Sequence, residues 1–563
     1  MHNAMDKLVE VLPLQFRVLY RQFLLRVVDL EALSIHADIP RFLGQFASVL
    51  IFVSLIGTVG LLTSVDALES LEAKLSFAWR GEQALISGMM LVVGLVAVVS
   101  WDSTFPDRRD VMILTPLPVA PRVILFAKVA ASAALLGLAI LTLNFATGVA
   151  WPLFLGAQHG TIWGFIQSFA AYWFVMGASS MFLFGSVLTV QGFLALLFPR
   201  RIFLGLSAIL QIMAFGFVLG SYFLSPSITT PAAMAAPENH WALAWSPAFW
   251  FFALFNRLNG SLPSGLDWVA QRAWIGMGIV VFGVTASLFF CYPRTMKKTV
   301  EEPDLVPGPR GWHWSPRFGS PLQTAIMLFC GRSLVRSRQH RLAFALFLAL
   351  IFSIALSLLR SELSDPSFRV VNAGFLTSTF LMMSLAVLGL RSVFSLPISL
   401  NANWIWRLTQ LRSSKEYVGA TRRTLLCLAV GPVWLISALL SLSFRPLQQI
   451  AAHLIVLALV GWVFAELSLI RFYKVPFTCS YLPGKVHVQV LLGCLLVLSA
   501  VFAISSAELE MPSLGDPIRY VCLTSVLMAL AVGLLALNHH RAKSAVLYFE
   551  ELPPEVVTRL ELG

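Results

Sequence analysis

The stretch from Trp101 to Lys128, WDSTFPDRRDVMILTPLPVAPRVILFAK, is a polar segment between two long apolar runs. An apolar run of about 20 residues is long enough to cross a membrane as a helix, so the stretch connects two spans on one membrane face. The two prolines of LTPLP, residues 114–118, predict a turn, because proline cannot continue a helix without losing a hydrogen bond. The residues that mark this connection as an exposed surface are Asp107, Arg108, Arg109, Asp110, Leu117, Pro118, Arg122 and Lys128.

The composition places the whole chain in the membrane class. Of its 563 residues, 58% are hydrophobic and only 12% are charged, and the mean hydropathy is +0.80. Soluble domains carry roughly a quarter charged residues. The apolar runs are continuous rather than alternating, and in lipid every backbone polar group needs an internal partner, which here favours helices. The sequence therefore predicts an all-α polytopic membrane protein.

About 12 apolar runs are long enough to be transmembrane helices, and they fall into two groups of six. The first group is 43–64, 84–100, 129–153, 164–197, 203–225 and 270–291. The second group is 342–360, 372–391, 424–444, 450–471, 488–507 and 518–538.

Two similar segments indicate an internal repeat. Residues 11–33 form an amphipathic pattern with three arginines among its polar positions, which is typical of a helix lying in the membrane interface. Residues 321–341 precede the seventh run in the same way, and both segments contain Pro-Leu-Gln near their start. Residues 299–319 are rich in proline, glycine and charge, as linkers are. We therefore expect a first six-helix half, 1–298, a cytoplasmic linker and a second six-helix half, 320–563, with a short cytoplasmic tail.

The basic residues predict the orientation. With the N-terminus in the cytoplasm, all but eight of the 40 Lys and Arg residues fall in inner segments, as the positive-inside rule requires. The outer ones are Lys74, Arg80, Arg257, Arg272, Arg360, Arg369, Arg445 and Arg519. We therefore expect a multi-pass protein of the cytoplasmic (inner) bacterial membrane with both termini inside. The net charge of +12 then reflects topology and attraction to anionic lipids, and we expect no nucleic-acid partner.

The connection between the second and third runs is similar to the cytoplasmic coupling loop of type-2 ATP-binding-cassette (ABC) permeases. The features that carry the resemblance are the charge cluster from Asp107 to Asp110, the turn that ends at Pro118, and Lys128 at the start of the third run. In that family the loop docks on a separate ATPase subunit, so the resemblance implies such a partner. The alternative is that the charge cluster only anchors two helix ends at the interface.

The order of elements in the first half also resembles this family. The long outer segment 226–268 contains the apolar sequence WALAWSPAFWFFALFNRL, residues 241–258, which is too short to span and is interrupted by a proline. The resemblance implies a short re-entrant helix in the outer leaflet, formed around Trp245, Pro247, Phe249 and Trp250. The alternative is a belt of aromatic side chains at the level of the headgroups.

The second half departs from the family pattern. Its last outer connection, 508–517, is too short for a re-entrant helix, and its second inner connection, 391–423, has no Asp-Arg-Arg-Asp cluster. The resemblance therefore applies mainly to residues 1–300. We expect the second half either to have lost its coupling to an ATPase or to couple asymmetrically.

Few polar side chains lie inside the predicted spans. A carboxylate there should face the bundle or a wet cavity, so Glu466 is either a proton or substrate contact or the buried partner of an arginine, with Arg471 close in sequence. Asn144 is interpreted as an interhelical hydrogen-bonding group. His453 stands alone near an outer end, and a lone histidine does not predict a metal site.

The sequence contains no motif for catalysis or for nucleotide binding. It has no GxxxxGK[ST], HExxH or GxSxG motif, so any ATPase is a separate subunit. The six cysteines form no CxxC pair, and we expect no disulfide, metal, cofactor or enzymatic activity. We interpret the chain as the permease of an ABC-type exporter of an unidentified, lipophilic substrate, working with ATPase subunits, membrane lipids and other membrane subunits. The alternative is a non-transporting membrane scaffold, as a subunit of a larger complex, or a lipid-acting membrane enzyme.

Overall fold

The structure is a computed structural model of the chain. It describes residues 14–28, 39–66, 71–101, 108–114, 116–117, 119–225, 228, 230–263, 265–301, 319–363, 371–398, 408, 414–441, 446–479 and 488–549. These ranges are mainly helical and contain no strand, which confirms the prediction of an all-α protein. Most of the predicted linker, residues 302–318, lies outside the described residues.

The chain divides into two compact units. The first comprises Met1–Leu30 with His36–Pro309, and the second comprises Glu31–Ile35 with Arg310–Gly563.

The first unit contains an initial helix, a set of long apolar helices and a group of short helices before the last long one. Its helices are α1 (Leu14–Val28), α2 (Ile39–Asp66), α3 (Leu71–Val99), α4 (Arg108–Leu114), α5 (Pro121–Leu143), α6 (Thr147–His159), α7 (Ile162–Leu197), α8 (Arg200–Phe223), α9 (Pro231–Ala235), α10 (His240–Trp245), α11 (Pro247–Asn259), α12 (Asp267–Ala286) and α13 (Tyr292–Glu301). The buried core of this unit surrounds α11, which packs against α3, α7 and α12.

The second unit is organised around one buried helix. Its helices are α14 (Pro321–Arg336), α15 (Arg338–Leu363), α16 (Ala373–Val393), α17 (Ser414–Leu425), α18 (Gly431–Leu440), α19 (Leu447–Ser468), α20 (Val488–Ser513) and α21 (Pro517–Ser544). Helix α16 is buried along most of its length and packs against α15, α19 and α20. The helix α14 begins with a capping box, in which the Ser320 hydroxyl accepts from the Gln323 amide and the Gln323 side chain accepts from the Ser320 amide.

Within the described ranges, 11 helices are long and apolar enough to cross a membrane. They are Ser76–Val99, Val123–Leu143, Ile162–Leu197, Gly205–Phe223, Asp267–Phe290, His340–Ser357, Ala373–Val393, Ser414–Leu440, Leu447–Ser468, Leu495–Ser513 and Pro517–Ser544. The first predicted span, 43–64, lies in α2, whose apolar part Gly44–Gly60 is shorter. A polytopic helical membrane protein is therefore shown, whereas the count of 12 and the two six-helix halves stay predictions.

The expected continuous span 129–153 is wrong, because the chain breaks between α5 and α6. Helix α5 ends at Leu143, and the side chain of Asn144 donates back to the carbonyl oxygen of Ile140 at 2.8 Å. The amides of Ala146 and Thr147 donate to the hydroxyl of Ser54 on α2, at 3.1 and 3.3 Å. A helix start needs partners for its free amides, and Ser54 supplies them from another helix.

Two helices contain one π-helical turn each. The amide of Tyr292 donates to Ser287 in the turn Ser287–Cys291, and the amide of Gly431 donates to Leu426 in the turn Leu426–Val430. In both cases the next residue is a proline, at positions 293 and 432. Proline has no amide hydrogen to continue an α-helical ladder, and π-turns are a known way for a helix to absorb a local mismatch. Through the first of these turns α12 continues into α13.

Candidate functional site

The connection between α3 and α5 holds the short helix α4 and ends in exposed apolar side chains. Met112 and Ile113 are 62% and 59% exposed and Leu117 is 49% exposed, whereas Val111 is buried. These three exposed residues form the apolar tip of the coupling segment, the name used here for residues 108–119. Of the residues predicted for this surface, Asp107 and Pro118 lie outside the described residues, as do the side chains of Arg108, Arg109, Asp110 and Arg122.

The coupling segment rests on three helices of the first unit. Helix α4 packs against α13. Leu114 and Val119 pack on a small buried cluster that includes Leu19 and Phe23 of α1 and Ile124 of α5. The helix predicted within 11–33 corresponds to α1, which packs on α5 and on the coupling segment. Its position in the membrane interface stays a prediction.

Lys128 does not contribute to the exposed surface. It is only 3% exposed, and its Nζ lies 5.2 Å from the centre of the Phe23 ring. A lysine over an aromatic face is stabilised by cation–π attraction. Lys128 therefore connects α5 to α1 through a buried contact with Phe23.

The outer apolar sequence 241–258 forms two helices with different surroundings. Trp245 at the end of α10 is 72% exposed, whereas Phe249 in α11 is fully buried. Pro247 is the first residue of α11, where its missing amide hydrogen costs nothing. The indole nitrogen of Trp250 donates to the carbonyl oxygen of Leu243 at 2.9 Å. Most of α11 thus contacts protein, and its re-entrant character stays a prediction.

Helix α11 also supplies a partner to a buried carboxyl group that the sequence analysis missed. Glu82 on α3 is 4% exposed, and Asn256 donates its side-chain amide to Glu82 Oε2 at 3.0 Å. Ser261 donates to the Asn256 side-chain oxygen at 2.7 Å. The Trp151 indole N–H lies near the same carboxyl group but forms no hydrogen bond with it. The sequence signal that could have identified Glu82 is its place just before the apolar run 84–100.

Asn144 links three helices of the first unit. Its side-chain oxygen accepts a hydrogen bond from the Tyr172 hydroxyl on α7 at 2.7 Å, while its side-chain nitrogen bonds within α5. Tyr172 also donates toward the Thr147 hydroxyl of α6 at 3.3 Å. The arrangement is that of an interhelical hydrogen-bonding group.

Glu466 on α19 is fully buried and forms an ion pair with Arg422 of α17, not with Arg471. Arg422 Nε contacts Oε1, and Arg422 Nη2 donates to Oε2 at 3.1 Å. Asn538 of α21 donates to Glu466 Oε2 at 2.9 Å and to the Glu466 backbone oxygen at 2.8 Å. An arginine that contacts both oxygens of a carboxylate, together with an amide donor, makes strong hydrogen bonds of defined geometry. Through these bonds Glu466 of α19 connects α17 and α21.

His453 of α19 has a carboxylate partner that the sequence analysis missed. Its Nδ1 lies 2.9 and 3.1 Å from the two carboxylate oxygens of Glu510 on α20, and its Nε2 lies 2.9 Å from the Thr379 hydroxyl on α16. Glu510 falls in the predicted loop 508–517, which is wrong because α20 continues to Ser513.

Two of the described cysteines, Cys330 and Cys479, are buried, whereas Cys427 and Cys522 are exposed. Cys330 is fully buried in α14, and burial raises the pKa of its thiol, which disfavours the reactive thiolate. Cys479 is buried and donates its thiol to the Tyr548 carbonyl oxygen at 3.3 Å. Within the described residues, no group of three or more His, Cys, Asp and Glu side chains could hold a metal ion.

Comparisons of the chain with family models, with curated proteins and with solved structures found no match. The functional candidates are therefore the coupling segment in the first unit and the buried carboxyl groups of both units.

Proposed function

We propose that the chain is the permease subunit of an ABC-type exporter and that a separate ATPase docks on the coupling segment. The observation that carries this proposal is the apolar tip formed by Met112, Ile113 and Leu117, which are about half exposed or more. Adjacent exposed apolar side chains with charged residues beside them are typical of protein interaction sites. Arginines such as Arg108 and Arg109 suit bidentate contacts with carboxylates of a partner.

The contacts behind the tip give the proposed ATPase a mechanical connection to the spans. The prolines after α4 restrict the backbone, which lowers the entropy lost on binding. Leu114 and Val119 pack on the cluster shared by α1 and α5, and α4 packs on α13. A displacement of the tip would thus move α5 and α13 together.

The proposal includes the location and the type of substrate. We place the chain in the inner membrane with both termini and the linker in the cytoplasm, on the basis of the asymmetry of basic residues. Several polar groups described in the interior are bonded to one another, for example Glu466 to Arg422 and Asn144 to Tyr172. Such an interior suits a lipophilic substrate better than a charged one.

The topology is tested by labelling from one side of the membrane. In a cysteine-free background, Glu238→Cys, on an exposed residue between α9 and α10, should react with an impermeant maleimide added outside the cell. Pro309→Cys in the linker should react only after the membrane is opened. Labelling of both from the same side would contradict the orientation.

Docking is tested by placing charge in the apolar tip. Fully burying a large apolar side chain is favourable by about 2 kcal/mol. The double variant Met112→Glu/Ile113→Glu should therefore reduce co-purification of the ATPase from native membranes by roughly 100-fold or more. ATP hydrolysis by the purified complex should fall in parallel. Reversing Arg108 and Arg109 together should have the same effect.

A matched control separates docking from folding. Val546→Glu changes an apolar residue of the second unit that is 79% exposed, and it should leave both expression and association unchanged. A photo-crosslinker at Ile113 identifies the partner by mass spectrometry. Crosslinks to lipid, with normal ATPase association of the double variant, would show that the tip is a membrane anchor. Crosslinks to a protein without an ATPase domain would favour the scaffold alternative.

A further inference from the structure

The second unit contains a hydrogen-bonded chain of three side chains from three helices. Thr379 on α16 bonds to His453 Nε2 at 2.9 Å, and His453 Nδ1 bonds to both oxygens of Glu510 at 2.9 and 3.1 Å. All three residues are at most 1% exposed. This chain is separate from the Glu466–Arg422 ion pair and is not used in the proposed docking of an ATPase.

The surroundings of this chain are mainly aromatic. The rings of Phe375 and Phe380 on α16 meet the His453 ring edge to face, with centres 5.5 Å away in both cases. From α21, the Tyr520 hydroxyl lies near Glu510 and donates to the carbonyl oxygen of Ala452 at 3.1 Å. Arg519 and Asp516, near the start of α21, are exposed and form an ion pair with each other at 3.3 Å.

Glu510 therefore has no permanent cation in the described part of the chain, where its ion-pair partner is His453. An isolated carboxylate in a low-dielectric interior is costly, and histidine is the side chain that gains and loses a proton near neutral pH. The contrast with Glu466 is direct, because its partner Arg422 stays charged at any physiological pH.

The geometry satisfies every hydrogen bond with or without one added proton. When the imidazole is neutral, Nδ1–H donates to Glu510 and Nε2 accepts the Thr379 hydroxyl hydrogen. When a hydronium ion transfers a proton to Nε2 and leaves as water, the new N–H group donates to the Thr379 oxygen instead. The Thr379 hydroxyl then donates to the carbonyl oxygen of Leu376 at 2.8 Å or of Phe375 at 3.2 Å. No other bond changes, and the net charge of the site goes from −1 to zero.

We propose that Thr379, His453 and Glu510 form an intramembrane proton-binding site. With the proton bound, the site is neutral and holds α16, α19 and α20 together. Loss of the proton leaves one uncompensated charge between these helices, which favours a rearrangement that lets water in. The inner connection 391–423 of the second unit has no charge cluster like that at 107–110 in the first unit. In this proposal the second unit responds to protonation instead.

The test follows histidine protonation by infrared spectroscopy in the full-length protein. The protein carries ¹³C-labelled histidine and is placed in lipid nanodiscs, and difference spectra are recorded between about pH 5 and pH 8. Because the chain has ten histidines, the signal of interest is the part of the wild-type difference spectrum that is absent from His453→Gln, and it should show the conversion of one imidazole to imidazolium. The same signal should be lost in Glu510→Gln, which keeps the shape of the side chain but removes its charge.

Further variants keep the test decisive if His453→Gln does not fold. Thr379→Ser keeps the hydroxyl and should preserve the signal, whereas Thr379→Val should shift its midpoint. His340→Gln removes a buried histidine whose partners, the Ser337 hydroxyl and the Leu396 carbonyl, are uncharged, and it should leave the signal in place. Spectra of Glu510→Gln that match the wild type, or a His453 ring that does not change protonation, would overturn the proposal.

Discussion

Replacing Arg422 by methionine should lower the free energy of unfolding of the second unit by about 3–5 kcal/mol, because it leaves a buried carboxylate without its cation. Glu466 is fully buried, and Arg422 contacts both of its carboxylate oxygens. Asn538 would remain as the one side-chain donor seen in the described residues. Equilibrium unfolding in mixed micelles, followed by circular dichroism, measures the change.

Two companion variants show whether the effect comes from the unpaired charge. Arg422→Met/Glu466→Gln removes both charges and should recover most of the lost stability, because replacing a whole buried pair is often close to neutral. Arg519→Met breaks the exposed pair with Asp516, whose side chains are 66% and 43% exposed, and should cost no more than about 1 kcal/mol. If Arg422→Met were as mild as Arg519→Met, the buried ion pair would not be holding α17, α19 and α21 together.

Truncating Phe252 to alanine should destabilise the first unit by about 3–5 kcal/mol through the cavity that it leaves. Phe252 is fully buried in α11, and its ring meets the edge of Trp79 on α3 with centres 5.3 Å apart. Removing the ring therefore removes one of the contacts between α11 and α3. The same unfolding measurement applies.

Trp245→Ala is the matched control, because it removes a larger aromatic side chain from the same outer segment. Trp245 is 72% exposed, so the change should stay within about 0.5 kcal/mol. Phe252→Leu should lie between the two. A cost for Phe252→Ala as small as that for Trp245→Ala would mean that α11 lies on the surface of the bundle and not inside it.

The long spans were predictable because the determining information is local. The run 372–391 is long and apolar enough to predict a helix, and a helix forms its backbone hydrogen bonds within the run itself. The structure places α16 at Ala373–Val393. The capping box at Ser320 is local in the same sense. The π-turn before the proline at 432 also had a local signal, a proline within the apolar run 424–444.

The details that were missed depend on residues far apart in the chain. The break after Asn144 needs the hydroxyl of Ser54, which lies 92 residues before Ala146. Glu466 was placed near Arg471 by sequence distance, yet its partner is 44 residues away. Arg471 itself has a φ of 58°, in the left-handed region that ends the helical course of the chain. Glu510 was assigned to a loop because the predicted span ended at residue 507, whereas the helix continues to Ser513 and brings Glu510 to His453.

The π-turn between α12 and α13 sets the rotational phase of the helix that supports the coupling segment. An α-helix advances about 100° per residue, so the extra residue wound into Ser287–Cys291 turns α13 by roughly that angle relative to the pattern of α12. The side of α13 that meets α4 is therefore chosen by this turn. Loss of the extra residue in this turn would rotate α13 about its axis by that angle without breaking the helix. In the proposed docking of an ATPase, a displacement of α4 would therefore act on α12 through α13 with a rotational component.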